Sequence, residues 1–179
     1  EHLAVRTGAG VFDMTSFGKI RVEGRDACAF LNRVCANEID VAVGRIVYTQ
    51  MLNPRGGIES DLTVTRLSET AFLLVVPGAT LQRNLAWLRA HVGEDFAVIT
   101  DMTAAESVLC VMGPKARGVL ARVTAADVSD AAFPFGHVRE ISIAGAQVRA
   151  LRVTYVGEPD TSIPQPEPQL TKDRRALRK

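Results

Sequence analysis

The stretch that most constrains the fold of this chain is Tyr48 to Arg66, YTQMLNPRGGIESDLTVTR. Two strand-like runs flank Asn53-Pro54-Arg55-Gly56-Gly57. Proline presets one turn dihedral and glycine permits positive φ, so the pattern predicts a β-hairpin. Beyond the turn, Leu62 and Val64 alternate with Asp61, Thr63 and Thr65. Side chains two apart share a strand face, so Asp61 is expected to project with the threonines and away from the apolar pair.

Other elements assemble around that hairpin. Ile20 and Val22 alternate with charged residues over Lys19–Glu23, which predicts a strand, with Asp26 placed to cap the helix that follows. Ala27, Phe30, Leu31 and Val34 recur at helical spacing and predict an amphipathic helix. Asn37 to Arg45 reads as a loop. Phe72-Leu73-Leu74-Val75-Val76, ended by Pro77-Gly78, suits a strand buried on both faces. Leu81, Leu85, Leu88 and Val92 give a second helix stopped by Gly93, with Trp87 at the edge of its apolar line. Short strands are expected at Phe96–Ile99 and Ser107–Met112, a helix at Lys115–Val123 behind Pro114, and a last hairpin from Val138–Ile143 and Ala146–Thr154 around Gly145. The order strand–helix–three strands–helix–strand predicts an α+β fold of antiparallel sheets containing a split β-α-β (ferredoxin-like) element.

Composition narrows the function classes. The chain has 179 residues, of which 47% are hydrophobic, with a formal net charge of +1. The near-zero charge argues against a nucleic-acid binder, which needs a basic stripe. No apolar run reaches the roughly 18 to 20 residues that span a bilayer, which argues against a membrane protein. The first residues lack a signal-peptide pattern, and the missing initiator Met points to a chain cut from something longer or processed. Cys28, Cys35 and Cys110 are sparse and without a CxxC, fitting a reducing cytoplasmic or mitochondrial-matrix setting and inert buried thiols. His2, His91 and His137 lack metal-ligand spacing, so no metal site is expected. Gly113-Pro114-Lys115 lacks the surrounding pattern of a phosphate loop. Residues 159–179 hold four of the eight prolines and a basic finish, and read as a disordered tail after a domain spanning 1–158.

Taken in order, FDMTSFGKI, FLNR, YTQMLNPRGGIESDLTV, FLLVVPG, VMGPKAR and TYVGE resemble the glycine-cleavage T-protein (aminomethyltransferase) family. The resemblance is nearest to the folate-binding C-terminal half of dimethylglycine and sarcosine dehydrogenases. It implies a tetrahydrofolate site and one-carbon transfer. The carbon would come from an N-methyl amine-derived iminium or an aminomethyl carrier, with methylene-tetrahydrofolate as product. The hairpin's GGxxDDL-type pattern carries a folate-facing carboxylate onto Asp61, with Ser60 in place of a first acid. The same resemblance places Tyr48 near the pterin, Phe17 after the lead-in turn, Thr63 and Thr65 on the wall beside Asp61, and Tyr155 in the late motif. With no GxGxxG in the chain, the FAD domain of a dehydrogenase would lie upstream.

This sequence departs from the family after Glu158. The expected Gly-aromatic-Glu is replaced by Pro159-Asp160-Thr161-Ser162, and the downstream arginine and C-terminal barrel domain have no counterpart. The resemblance therefore implies an incomplete folate pocket, with weak turnover by this chain alone. The alternative is a non-catalytic folate-binding or regulatory module on the same fold. An iron–sulfur-assembly branch ranks last, because its KGCYxGQE-type motif has no match around Tyr155-Val156-Gly157-Glu158.

Overall fold

A computed structural model describes residues 1–154 of the chain. Tyr155, Glu158 and the expected tail lie outside them.

The chain opens with α1 (His2–Thr7) and β1 (Gly10–Asp13), both read from sequence only as a lead-in. Then follow β2 (Gly18–Glu23), α2 (Ala27–Val34), β3 (Ile46–Leu52), β4 (Ile58–Arg66) and β5 (Ala71–Val76). A single 3-10 turn leads to α3 (Leu81–His91) and β6 (Val98–Asp101). After these come β7 (Leu109–Met112), α4 (Ala116–Leu120), β8 (Val138–Ile143) and β9 (Ala146–Leu151).

Five strands form the main sheet in the order β3-β4-β5-β2-β6, every neighbouring pair antiparallel. β5 and β6 run the same way on either side of β2 and are joined through α3. This is the split β-α-β unit expected from the order of elements, and the fold is α+β with antiparallel sheets. β5 lies at the centre, with Phe72, Leu73, Leu74 and Val76 all buried. A two-faced apolar run is what a central strand requires, because both of its faces are covered.

The main core fills one face of the sheet. Ile20, Val22, Leu62, Val64, Phe72, Leu74 and Val76 meet Phe30, Leu31 and Val34 from α2 and Leu85 and Leu88 from α3. The three-and-four spacing read in both helices is thus their buried stripe. Trp87 packs at the margin and stacks on His91, ring centroids 4.1 Å apart. Val128, Phe133 and Ile141 are buried outside this cluster. The β8–β9 hairpin attaches through its entry segment. His137 bridges to Arg45, and the Ile46 N–H donates to the Gly136 carbonyl at 2.8 Å.

Several bounds shift from the sequence reading, with β6 at Val98–Asp101 in place of Phe96–Ile99 and α4 shortened to Ala116–Leu120. Three side chains also behave otherwise than expected. Asp26 stands at the N-terminus of α2 but caps no helix N–H; its Oδ2 accepts the Phe96 N–H at 2.9 Å and so pins the return of the chain after α3. Cys35 falls one residue past α2, where its N–H donates to the Leu31 carbonyl, while Cys28 is only half-buried. Lys19, counted with the charges that alternate against Ile20 and Val22, is 1% exposed.

Two predictions follow from this packing. Burial pushes the Cys35 thiol up to about 12. The folded protein at pH 8 is expected to leave Cys35 unlabelled by a disulfide reagent, with labelling appearing on unfolding in urea, as mass spectrometry of the tryptic peptide will show. The carboxyls of Asp13, Asp26, Glu59, Asp101, Asp127 and Asp130 are all held below the usual carboxylate range by hydrogen bonds they accept. Depressed carboxyl values favour the fold above the unfolded value of about 4, and this contribution is lost as pH falls through the lower folded values. Melting temperature is expected to hold between pH 7 and 5 and to drop below pH 4 in a scanning-calorimetry series.

Candidate functional site

The hairpin loop is organised by one side chain. Asn53 Oδ1 accepts the N–H groups of Arg55 and Gly57, each at 3.0 Å, while its Nδ2 donates to Glu59 Oε1 at 2.8 Å. The Gly56 N–H returns to the Asn53 carbonyl at 2.8 Å with φ of 76°, a conformation that glycine adopts without strain. Arg83 from α3 reaches the other oxygen of Glu59, tying the loop to the helical layer. Together, Asn53 first and Arg83 second, they hold the Glu59 carboxyl below its ordinary range.

From this anchored loop β4 runs with the expected alternation. Leu62 and Val64 enter the core and Asp61 is exposed. The register pairs Gln50 with Asp61 and Tyr48 with Thr63. Tyr48 and Asp61 are therefore diagonal neighbours on the open face. Tyr48 Oη donates to Asp61 Oδ2 at 3.1 Å. The bond leaves the Tyr48 side facing solvent, the residue being 59% exposed.

The remaining expected residues divide. Thr63 is half-buried beside this pair. Thr65 shares the strand face but is fully buried, and its hydroxyl has no hydrogen-bond partner among the described residues. Its separation from Thr63 is a matter of position, since it sits opposite buried Ile46, where the 136–138 segment joins the sheet. Phe17 is half-buried, its N–H donating to the Met14 carbonyl at 3.0 Å in the turn that precedes β2. Gly18 pairs with Val76, and Thr63 with Val75. Continued by one position on β2 and by two on β4, the register sets Phe17 level with Asp61. They lie two strand spacings apart, roughly 10 Å, and β5 ends just short of that level. Tyr155 lies outside the described residues.

Two features escaped the sequence reading. One is the Asn53–Glu59–Arg83 network, whose partners lie on different elements. The other is Lys19, which lies in the cross-strand row Tyr48–Thr63–Val75–Lys19. Among the described residues, no three His, Cys, Asp or Glu side chains converge to hold a metal ion, and no helix is long and apolar enough to cross a membrane.

Comparison with known proteins decides the family. The profile of the GCVT N-terminal domain matches residues 1–163. The chain belongs to the GCVT N-terminal domain family. Among GCVT relatives, an aminomethyltransferase of Bacillus velezensis is 38% identical over 159 residues, covering 88% of this chain and 43% of that protein. A 4-methylaminobutanoate oxidase (formaldehyde-forming) of Paenarthrobacter nicotinovorans is 41% identical over 158 residues, covering 88% of this chain but 19% of the oxidase. The chain thus spans less than half the length of these curated relatives. The crystal structure of the glycine cleavage system aminomethyltransferase T from Bartonella henselae superposes with a TM-score of 0.70 at 30% identity, over 79% of this chain and 38% of that one. A chain of the heterotetrameric sarcosine oxidase from Corynebacterium shares the fold at TM-score 0.64 and 22% identity, over 84% of this chain and 74% of that one.

Replacing Asn53 by alanine removes the acceptor for two loop N–H groups and the donor to Glu59. A stability loss of about 1–3 kcal/mol is expected. Urea denaturation will measure it, and hydrogen exchange is expected to speed at Arg55 and Gly57 before the rest of the sheet.

Proposed function

We propose that this GCVT domain binds a reduced folate over the open face of its sheet and serves tetrahydrofolate-dependent one-carbon transfer. The observation that carries this reading is the Tyr48–Asp61 pair: an exposed aromatic side chain whose hydroxyl holds a carboxylate at 3.1 Å. A flat heteroaromatic ring with several N–H groups needs an apolar surface and a hydrogen-bond acceptor. The residues present fit that demand. Asp61 accepts one bond from Tyr48, and a carboxylate has room for further donors on its two oxygens.

When bound, the folate supplies the amine that captures a carbon from an N-methyl amine-derived iminium or an aminomethyl carrier. The chain's own contribution is modest. Asp61 orients that amine and takes its proton at Oδ1 or Oδ2, and its charge stabilises a developing cation. Tyr48 fixes the carboxylate by its hydroxyl and offers its ring to the pterin. Thr63 lines the floor between them, and Phe17 stands across the end of β5. Tyr155 belongs to the same proposed set through the late motif. Thr65, buried two positions further along the same strand face, would act as packing beside Thr63.

The full-length relatives named aminomethyltransferase and 4-methylaminobutanoate oxidase (formaldehyde-forming) support the two carbon donors equally, and a flavin oxidase domain upstream belongs to the second. The non-catalytic folate-binding module is the second reading.

Calorimetric titration with 5-formyl-tetrahydrofolate tests the proposal. Binding by the 179-residue chain and a loss of about tenfold or more in Asp61→Ala, the worth of a hydrogen bond to a charged group, are expected. Equal affinities for the two proteins would remove Asp61 from the site.

A further inference from the structure

Lys19 is buried to 1% exposure, yet it forms no ion pair among the described residues. Its ammonium donates to the carbonyl of Thr15 at 2.8 Å. A charge withdrawn from water to this degree is costly unless it is hydrogen-bonded and opposed by other charges. Hydrogen bonds from Thr15 and Thr103 lower the Asp13 and Asp101 carboxyls, and the Lys19 ammonium is close enough to help lower both. It holds local backbone as well.

What it holds is legible in a short repeat, Asp13-Met14-Thr15 and Asp101-Met102-Thr103. Each copy closes the same turn, the aspartate Oδ1 accepting the threonine N–H at 2.9 Å. Both turns engage Lys19. The second docks on its backbone: the Lys19 N–H donates to Thr103 Oγ1 at 3.1 Å, and the Met102 N–H donates to the Lys19 carbonyl at 2.8 Å. The first docks on its side chain through the Thr15 carbonyl. That first turn is also stitched to the Val108 backbone, with Met14 N–H to Val108 carbonyl at 2.9 Å and Val108 N–H to Thr15 Oγ1 at 3.1 Å. Two residues on lies Phe17. Gly78 packs so closely here that a Cβ would stand 2.0 Å from the Ser16 carbonyl oxygen, so the turn has little room to shift.

We propose that Lys19 is a positioning residue for the ligand face: by gripping the Thr15 carbonyl, its buried ammonium sets the turn that presents Phe17 opposite Asp61. This rests on the folate reading of Asp61 and Tyr48. Lys19 touches no ligand in this scheme. Its effect on binding passes through Phe17, and that makes a specific demand on combined variants.

The test uses the full chain as Lys19→Met, Phe17→Ala and the double variant. Two readouts are taken, hydrogen exchange by NMR and calorimetry with 5-formyl-tetrahydrofolate. In Lys19→Met, exchange is expected to rise about tenfold at the Phe17 and Val108 amides, the scale of one charge-assisted hydrogen bond, and to stay unchanged at Leu62 and Val64. Folate affinity is expected to fall by a similar factor in each single variant, and the double variant to bind no worse than the weaker single one. Losses that multiply in the double variant would show that Lys19 acts on the ligand separately from Phe17, overturning the proposal. Unchanged exchange at Phe17 overturns it whatever the folate result. A wild type that binds no folate sinks the reading of Asp61 and Tyr48 instead, and the exchange data still decide whether Lys19 grips the turn. Should Lys19→Met fail to fold, Lys19→Gln keeps a donor without the charge and is expected to fall between wild type and loosened turn.

Discussion

The structure depends on the pairing of β5 with β4 on one side and β2 on the other. β5 is apolar on both faces, so no register shift restores a solvent-compatible side, and its placement at the centre follows. Once β5 is central, β4 and β2 each have one core-facing row fixed against Leu74. The opposite rows are fixed by default. Asp61, Thr63 and Tyr48 lie on the open side because Leu62 and Val64 were claimed by the core.

The two faces consequently do different work. One is closed by α2 and α3 around an apolar cluster, with the Arg66 guanidinium lying over Phe72, 5.6 Å from its ring centroid. The other is mixed and uneven, with Tyr48 and Asp61 exposed, Thr65 and Leu73 sealed, and Lys19 buried on β2. Irregular segments border this side: the lead-in turn before β2 and the turn after β6 meet at Lys19, and the 136–138 crossing pairs with the sheet edge at Arg45 and Ile46. A ligand site on this side would have paired strands for its floor and hydrogen-bonded turns for its walls.

Much of this was legible in the chain. Apolar spacing revealed α2, α3 and β5, since local periodicity and burial coincide there. Asn-Pro-Arg-Gly-Gly revealed the hairpin, and strand alternation set Asp61 outward. The failures share a cause. Asp26 caps no helix because Phe96, seventy residues away, competes for its carboxylate. Lys19 reads as a solvated charge in K-I-R-V-E, and only the approach of the Thr15 and Thr103 turns buries it. Thr65 shares its periodicity with Thr63, yet it is sealed opposite Ile46, whose N–H bonds to Gly136 from a distant part of the chain. Alternation reports which face a side chain takes, not what later covers that face. The role proposed for Asp61 rests on a family motif, and its bond to Tyr48 on cross-strand register.

β3 is the outermost strand of the sheet and the carrier of Tyr48. Its outer backbone is nevertheless engaged at both ends. The Ala36 N–H takes the Gln50 carbonyl at 2.8 Å, Cys35 bridges to Met51, and the Gly136–Val138 crossing occupies Arg45 and Ile46. Asn37 Nδ2 takes the Tyr48 carbonyl at 3.2 Å between them. An unguarded edge invites another chain to add a strand. Here the Tyr48 and Gln50 carbonyls and the Ile46 N–H are taken from within, so a partner strand would have to displace those bonds to pair along β3.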